Sequence, residues 1–384
     1  MKKKIVFITE SLYGGGVERI LQIILNHFDY NKYDVTLYSV RRDVVRQGYF
    51  PKEIKYKYIF DVPKKNYSSF RNLWYKIKNK IKLFVYYHCN PSLFYYLFIR
   101  EIPNVAIAFI EGYATRIVSG FPNKIKKIAW LHIELDTFHW SDVAYRNRVE
   151  ERKSYFSMRY IPCVSKEVKK QLDKLYNISN KSVVLYNPID TGMVKKQAMI
   201  KNPLIEERKH DTVRIISIGS LNERKGHIRL LSVSNSLIKE GHNIEIWILG
   251  KGEKLEELEN YVSMNNIKNK VKFWGFQDNP FNFLYASDIY VCSSYAEGYN
   301  TAITEALVLG KPIVSTECSG VKEQLGEHDE WGICVDNSEE GLYNGLKQML
   351  NPEIRDYYKK QAAIRGRDFT LEKSMNEIYQ LIES

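Results

Sequence analysis

Cysteine is scarce in this sequence. Cys89, Cys163, Cys292, Cys318 and Cys334 are the only five in 384 residues, and no two stand at CxxC spacing. A disulfide scaffold or a thiolate zinc site is therefore not expected, and the thiols read as the reduced ones of a cytosolic protein. Long apolar runs are missing as well. No stretch reaches the ~18 residues that a spanning helix needs, and Met1-Lys2-Lys3-Lys4 leads into only "IVFIT" before the polar "ESLYGGG", too short for the core of a signal peptide. Neither glycine loop completes GxGxxG. In "YGGGVER" Arg19 takes the third glycine's place, and "GKGEKL" (Gly250–Leu255) fails at the same position, so a nicotinamide-dependent dehydrogenase is poorly supported. Asp-x-Asp does not occur. The nearest acid cluster, "EHDE" at Glu327–Glu330, reads as a solvated turn, so no metal is expected.

What is present describes a folded, basic, globular chain. It is 44% hydrophobic, 13% aromatic and 27% charged, with a net charge of +12. The length suits two domains of ordinary size. Residues 1–190 hold 33 of the 57 basic and 17 of the 45 acidic residues, a net of +16 that leaves −4 for the remainder. Such asymmetry predicts a negatively charged partner for the first half: nucleic acid, anionic lipid or a phosphorylated substrate.

Apolar periodicity divides the chain in the same place. "KIVFIT", "DVTLYSV", "VAIAFI", "KIAWLH" and "YIPCVS" are short β-prone runs with helical sequence between them, "VERILQIILNHF" among the latter. After "YNPID" (Tyr186–Asp190) and a polar segment through "RKHD" (Arg208–Asp211), the alternation restarts with "TVRIISIG", "IEIWILG", "KVKFWG", "DIYVCSS", "KPIVST" and "GICVD". Each half opens as strand, glycine-bearing polar loop, helix. The pattern predicts an α/β protein with two doubly wound, Rossmann-like domains facing across a cleft. The expected divisions are 1–190, 191–365 and a last helical segment, 366–384, packing back towards the first domain.

The stretch "EGYNTAITEA" sets two acids, Glu297 and Glu305, on either side of an expected helix start near Asn300. Helix N-termini favour anions. A carboxylate cannot bind phosphate, but it accepts strongly from vicinal hydroxyls. Acids flanking an anion site therefore describe a ligand with hydroxyls on both sides of a phosphate, as in a nucleotide sugar. "GSLNERKG" places Arg224 and Lys225 just before another expected helix, where cations would complement the same phosphate; a solvated basic turn is the alternative.

These stretches resemble the retaining family-4 glycosyltransferases of GT-B architecture. The likeness runs through "GGGVERIL", "WLHIE", "NPID", "IGSLNERKGH", "ILGKGE" and above all "EGYNTAITEALVLGKPIVSTECSGVKE", which carries that family's E-x7-E motif. The resemblance implies that Glu297 holds hexose hydroxyls and Glu305 the ribose. It further implies that the amides of Gly298, Tyr299, Asn300 and Thr301 meet sugar and phosphate, that Lys225 meets the diphosphate, and that Ser220, Arg224, Gly250 and Phe276 complete the donor site. His132 would sit beside the reacting sugar as a catalytic residue with Glu297 and Lys225, and Gly14, Gly15 and Gly16 would close over it. The implied reaction is hexosyl transfer with retention, from a UDP-sugar or other nucleoside-diphosphate sugar, without cofactor or metal. Ser220 departs from the family, where arginine is frequent, and Arg224 is the available replacement. Without the resemblance, His132 also reads as a hydrogen-bonded structural histidine, and Glu323 as a helix-surface acid.

"NLWYKIKNKIKLFVYYHCNPSLFYYLFIR" (Asn72–Arg100) interleaves Lys76, Lys78, Lys80 and Lys82 with Trp74, Tyr75, Phe84, Tyr86 and Tyr87. The expected role is peripheral contact with an anionic membrane at its cytoplasmic face, in keeping with a glycan or polyprenyl-diphosphate-linked acceptor. A helix packed on the sheet is the plain alternative. The rival functions are a GT-B-like epimerase or phosphorylase, for which no pyridoxal-phosphate lysine stands out, and a basic nucleic-acid-binding protein, for which no motif is present.

Overall fold

Runs that are apolar on both faces, such as Ile5–Ile8 and Ile246–Leu249, are driven to the interior of parallel sheets, where helices cover both sides. The computed structural model describes the chain apart from residues 13–14, 43–48, 62–68, 137–138 and 206–210 and the side chains of 69–71. Gly14 and residues 208–210 of the polar segment lie outside the described residues. The chain forms two units, Met1–Pro188 with Ser374–Ser384, and Ile189–Lys373.

In the first unit, β1 (Lys3–Thr9), β2 (Tyr33–Arg41), β3 (Lys55–Phe60), β4 (Val105–Ala108) and β5 (Lys126–Ala129) form a parallel sheet in the order β3-β2-β1-β4-β5. A parallel pair, β6 (Ile161–Cys163) and β7 (Ser182–Val184), joins through bridges Ile128↔Tyr160 and Leu131↔Cys163. β3 escaped the sequence reading because "KYKYIF" is an edge strand: Lys55 and Lys57 face solvent and only Ile59 is fully buried. β7, three residues long, carries too short a period to detect.

The second unit has β8 (Val213–Ile218), β9 (Ile244–Leu249), β10 (Val271–Gly275), β11 (Ile289–Cys292), β12 (Ile313–Thr316) and β13 (Ile333–Val335). Their order, β10-β9-β8-β11-β12-β13, is that of the doubly wound dinucleotide-binding fold. Strand alternation builds two cores. Ile215 and Ile246 point into a layer with Leu230, Leu237 and Leu346, whereas Ile216 and Trp247 point into one with Phe283, Ile303 and Leu307. In each sheet the order reverses beside its first strand, between β1 and β4 and between β8 and β11. The loops leaving those strands lie at the carboxyl end of the sheet, the position at which such folds collect ligands.

The last helix, Leu371–Glu383, buries Met375, Ile378 and Ile382. Tyr379 stacks on Tyr33 with ring centroids 5.7 Å apart, and Glu383 accepts from the Tyr33 hydroxyl at 2.7 Å and from Lys3 at 2.9 Å. The helix Ser69–His88 does not present all its lysines and aromatics to one side, contrary to the simple interleaving read from the sequence. Lys82 donates to the Ile59 carbonyl, Tyr86 is buried with its hydroxyl on Ala144, and Tyr87 pairs with Tyr113. No helix among the described residues is long and apolar enough to cross a membrane.

Candidate functional site

The reversal between β8 and β11 brings two loops of the second unit together. The β8 loop ends in a 3₁₀ turn, Glu223–Lys225, capped by Asn222, whose side-chain oxygen accepts the Lys225 N–H at 3.2 Å. Gly226 follows with φ +60, a left-handed conformation that lets the helix His227–Lys239 begin at once. A Cβ there would lie 2.2 Å from the Ser293 carbonyl oxygen, so only glycine lets the two loops touch. Gly250, at φ +149, is held likewise: its Cβ would fall 1.8 Å from the Gly219 carbonyl oxygen.

That closeness delivers both cations to Glu297. Lys225 Nζ lies 2.5 Å from its Oε1 and Arg224 Nη1 2.8 Å from its Oε2, while the Ser294 hydroxyl donates to Oε1 at 2.6 Å. Arg224 also donates to the Ala296 carbonyl at 2.7 Å. Glu297 is 5% exposed. Burial alone would raise its carboxyl, but Lys225 and Arg224 outweigh that and hold it at about 2. It is an anion at any physiological pH.

Behind the pair stands Arg229, which the sequence reading passed over. Its buried guanidinium donates to the carbonyls of Ser293 and Ser294, to Thr316 and to Asn337, and covers the Tyr295 ring at 4.0 Å. Asn337 in turn donates to the Tyr295 carbonyl at 2.9 Å. The loop that carries Glu297 is thus clamped by side chains from three other elements. No local signal marks Arg229, which sits in the apolar-looking run "HIRLLSV".

The E-x7-E helix is Thr301–Val308 with Asn300 as its cap, accepting from Ala302 N–H at 3.0 Å. Asn300 also donates to Cys292 Sγ at 3.0 Å, and Gln324 donates to the Asn300 carbonyl and to Thr304, each at 2.8 Å. Gly298 is buried beside Glu297, and Tyr299 is buried, which pushes its phenol up to about 12. Glu305 is buried in the second helical turn. Ser220 is exposed and bonded to Asn222 at 3.1 Å, and Phe276 is exposed with Lys251 over its ring. The sequence-derived set in this unit therefore gathers Arg224, Lys225 and Glu297 in direct contact, with Asn300 at the head of the adjoining helix.

His132, Gly15 and Gly16 belong to the first unit. Gly15 caps the helix Gly16–Asn26, and both glycines are exposed. His132 lies beyond the end of β5, stacked on Trp130 with centroids 6.1 Å apart and beside Phe109. Burial pushes its imidazole down to about 3 against a hydrogen bond with the Phe109 backbone, so the ring is neutral. Its Nε2 is buried and has no partner. Glu111, unremarked in the sequence, braces it: the carboxylate accepts the His132 N–H at 3.0 Å and Trp140 Nε1 at 2.9 Å. An acid directly after a buried strand, "VAIAFIEG", was the available signal. His139, Asp142 and Glu151 are the one metal-like cluster among the described residues. Their Glu151 already accepts from Tyr176 and Ser141 as well as bonding His139, which is a structural network.

The family of glycosyl transferases group 1 matches residues 200–365, all in the second unit. Over 198 residues the chain is 29% identical to N-acetylgalactosamine-N,N'-diacetylbacillosaminyl-diphospho-undecaprenol 4-alpha-N-acetylgalactosaminyltransferase of Campylobacter jejuni, covering 50% of this chain and 52% of that enzyme. It is 33% identical over 172 residues to an uncharacterized glycosyltransferase of Haemophilus influenzae, covering 44% and 48%. The chain thus spans about half the length of the curated relatives it matches. Among solved structures, HepE of Anabaena in complex with UDP and glucose covers 99% of both chains at 17% identity with a TM-score of 0.74, a likeness of fold. The chain has the GT-B fold of two Rossmann-like domains, and its second unit is similar to the group 1 glycosyl transferases.

Proposed function

We propose that the protein is a retaining family-4 glycosyltransferase. It moves a hexose or N-acetylhexosamine from a nucleoside-diphosphate sugar, UDP-sugar foremost, to a glycan or polyprenyl-diphosphate-linked acceptor in bacterial surface polysaccharide synthesis. The observation that carries this reading is the Lys225–Glu297–Arg224 cluster at the strand-order reversal of the second unit, beside the head of the helix Thr301–Val308. The relative named for a diphospho-undecaprenol-linked acceptor and the fold neighbour solved with UDP support the choice of acceptor and donor.

In the proposed reaction the bond between the anomeric carbon and the diphosphate oxygen breaks, and its electron pair leaves with the nucleoside diphosphate. The acceptor hydroxyl bonds to the same face of that carbon and gives its proton to the departing phosphate. Negative charge grows on the diphosphate, and fixed cations at that point lower the barrier. Lys225 uses one of its three N–H donors on Glu297 and keeps two for phosphate oxygens. Glu297 holds both cations in place, so little reorganisation is needed when charge develops. With three donors already on the carboxylate, one acceptor position is left on Oε2 for a sugar hydroxyl. Arg224 and Lys225 supply the positive charge, so the reaction as proposed requires no divalent metal. His132 is neutral, so it carries no added proton in this proposal.

A thermal-shift panel of nucleotide sugars tests the reading. A ligand at a hundred times its dissociation constant stabilises the folded chain by about 2.7 kcal/mol. UDP and at least one UDP-sugar are expected to raise the melting temperature, GDP and its sugars less, and Lys225→Ala should lose the response. No shift with any nucleoside diphosphate or its sugars would overturn the proposal.

A further inference from the structure

The helix Ser69–His88 has two faces of different fate. Asn79 bonds the Asp61 backbone at 2.6 Å, Lys82 bonds the Ile59 carbonyl, and Val85 and Tyr86 are buried. This inner face fastens the helix to the β3 edge of the first unit. On the opposite face Leu73, Trp74, Ile77, Ile81 and Phe84 are 55%, 59%, 43%, 54% and 62% exposed. At 3.6 residues per turn these five fall within an arc of about 100°. Lys76 and Lys80 flank that arc on one side and Lys78 on the other, all three exposed. The next helix, Pro91–Phe98, adds exposed Leu93, Tyr96 and Leu97.

Apolar side chains in such number are not left in water without an occupant. A coherent apolar arc with Lys76 and Lys80 along one edge and Lys78 on the other is the pattern of a helix lying in the plane of a membrane interface. Aromatic and aliphatic groups enter the acyl boundary there, and cations meet anionic headgroups. Each lysine near an anionic surface adds attraction that salt screens. The charge excess of residues 1–190 acts in the same direction.

We infer that this face docks the protein on an anionic lipid bilayer, with Leu73, Trp74, Ile77, Ile81 and Phe84 as the inserted groups and Lys76, Lys78 and Lys80 as the headgroup contacts. The sorting differs from the sequence expectation, because Lys82, Tyr86 and Tyr87 have no part in it. The proposed glycosyl transfer gives the surface its purpose, since a polyprenyl-linked acceptor lies in the bilayer. The docking itself stands apart from that reading.

Vesicle flotation of the full chain, without donor or acceptor, tests it. Vesicles of phosphatidylcholine with 30 mol% phosphatidylglycerol (an experimental choice, on the order of an anionic bacterial leaflet) are compared with phosphatidylcholine alone. The wild type is expected to bind the anionic vesicles at least ~10-fold more strongly and to lose most of that gain at high salt. Trp74→Ser with Phe84→Ser should lower binding to anionic vesicles by ~10-fold or more. Lys76→Glu, Lys78→Glu and Lys80→Glu together should erase the preference for phosphatidylglycerol. Val149→Ser, an exposed apolar residue on another helix of the same unit, should change nothing. All substituted positions are exposed, and unchanged far-ultraviolet circular dichroism confirms folding of each variant. Equal, negligible binding to both vesicles would overturn the inference. So would binding untouched by the Trp74 and Phe84 changes, or a dimer that these changes dissolve while vesicles are ignored. Loss of UDP response with vesicle binding intact would sink the transferase reading alone.

Discussion

Lys225 and Arg224 follow one another in a single 3₁₀ turn and reach opposite oxygens of one buried carboxylate. Removing Lys225 leaves Glu297 with Arg224 and Ser294, so the loop keeps its shape while the cation nearest the proposed leaving group is lost. Lys225→Ala is expected to reduce sugar transfer by ~10²-fold or more with an unchanged circular dichroism spectrum. Near-normal turnover would remove Lys225 from the mechanism. The same variant carries a pH signature. Glu297 has a folded value of about 2, below its ordinary 4.5. Its stabilisation is therefore complete above pH 4.5 and is lost as pH falls towards 2. Lys225→Ala should lower stability at pH 7 by roughly 1–2 kcal/mol, read from urea unfolding. The gap to the wild type should close as the pH is taken from 4.5 to 2. A gap that stays constant over that interval would mean that Lys225 acts on stability by some route other than the Glu297 charge. His132 moves in a higher window. Its folded value of about 3 lies below the ordinary 6.5, so the unfolded chain binds a proton first and acid destabilises the fold from pH 6.5 downwards. His132→Gln should flatten the fall in unfolding midpoint between pH 6.5 and 4.

At the scale of elements, the site depends on how two strand ends are finished. The helix Thr301–Val308 is only eight residues long and would not hold together without tertiary support. Its Asn300 cap, the Gln324 bridge and Arg365, which donates to the Glu323 and Gln324 carbonyls, supply that support. Asn300→Ala removes the cap and the side-chain donor to Cys292, while the Asn300 carbonyl that Gln324 donates to remains, an expected loss of ~1 kcal/mol or somewhat more. Gly226→Val should cost far more, since its side chain would enter the Ser293 carbonyl at a positive φ. Both effects are measurable by chemical unfolding, and a neutral Gly226→Val would disprove the close approach of the two loops. These elements also show what a sequence discloses. All six strands of the second unit were legible because each is a short β-prone run, apolar apart from isolated polar residues such as Arg214, Glu245 and Lys272, and bounded by glycine or polar residues. Asn300 was legible as a helix start because a polar residue precedes an apolar period. β3 was not, because alternating lysine and tyrosine on an exposed edge carries no apolar run. The contact of Lys225 with Glu297 spans 72 residues. It follows from strand order, which local pattern does not encode, whereas the residues themselves could be named from a family resemblance. Arg229 was missed because a guanidinium that bonds the carbonyls of Ser293 and Ser294 has no partner near it in sequence, and Glu111 because an acid after a buried strand does not by itself name the histidine it braces.

The whole molecule is two Rossmann-like units, and the chain that leaves the first returns to it. Residues 374–384 belong to the first unit, although the second intervenes between them and the remainder. Met375, Ile378 and Ile382 are buried, Tyr379 stacks on Tyr33, and Glu383 holds both Lys3 and Tyr33. The Glu383 carboxylate is mostly solvated, so the apolar contacts and the stacked ring carry the energetic weight. At about 1.5–3 kcal/mol for each buried side chain, the three aliphatic residues alone contribute roughly 5 kcal/mol, a large share of a single domain's stability. Ending the chain after Lys373 is therefore expected to lower the melting transition of the first unit by ten degrees or more, on the order of 2–4 °C per kcal/mol at this size. The two cores of the second unit draw no residue from the deleted segment. Its transition should stay within a degree or two of the intact protein. Differential scanning calorimetry of the truncated and full chains separates the two transitions, with UDP added to mark the second. If both transitions fell together, the units would unfold as one cooperative body. If neither moved, the terminal helix would contribute no stability to the sheet it covers.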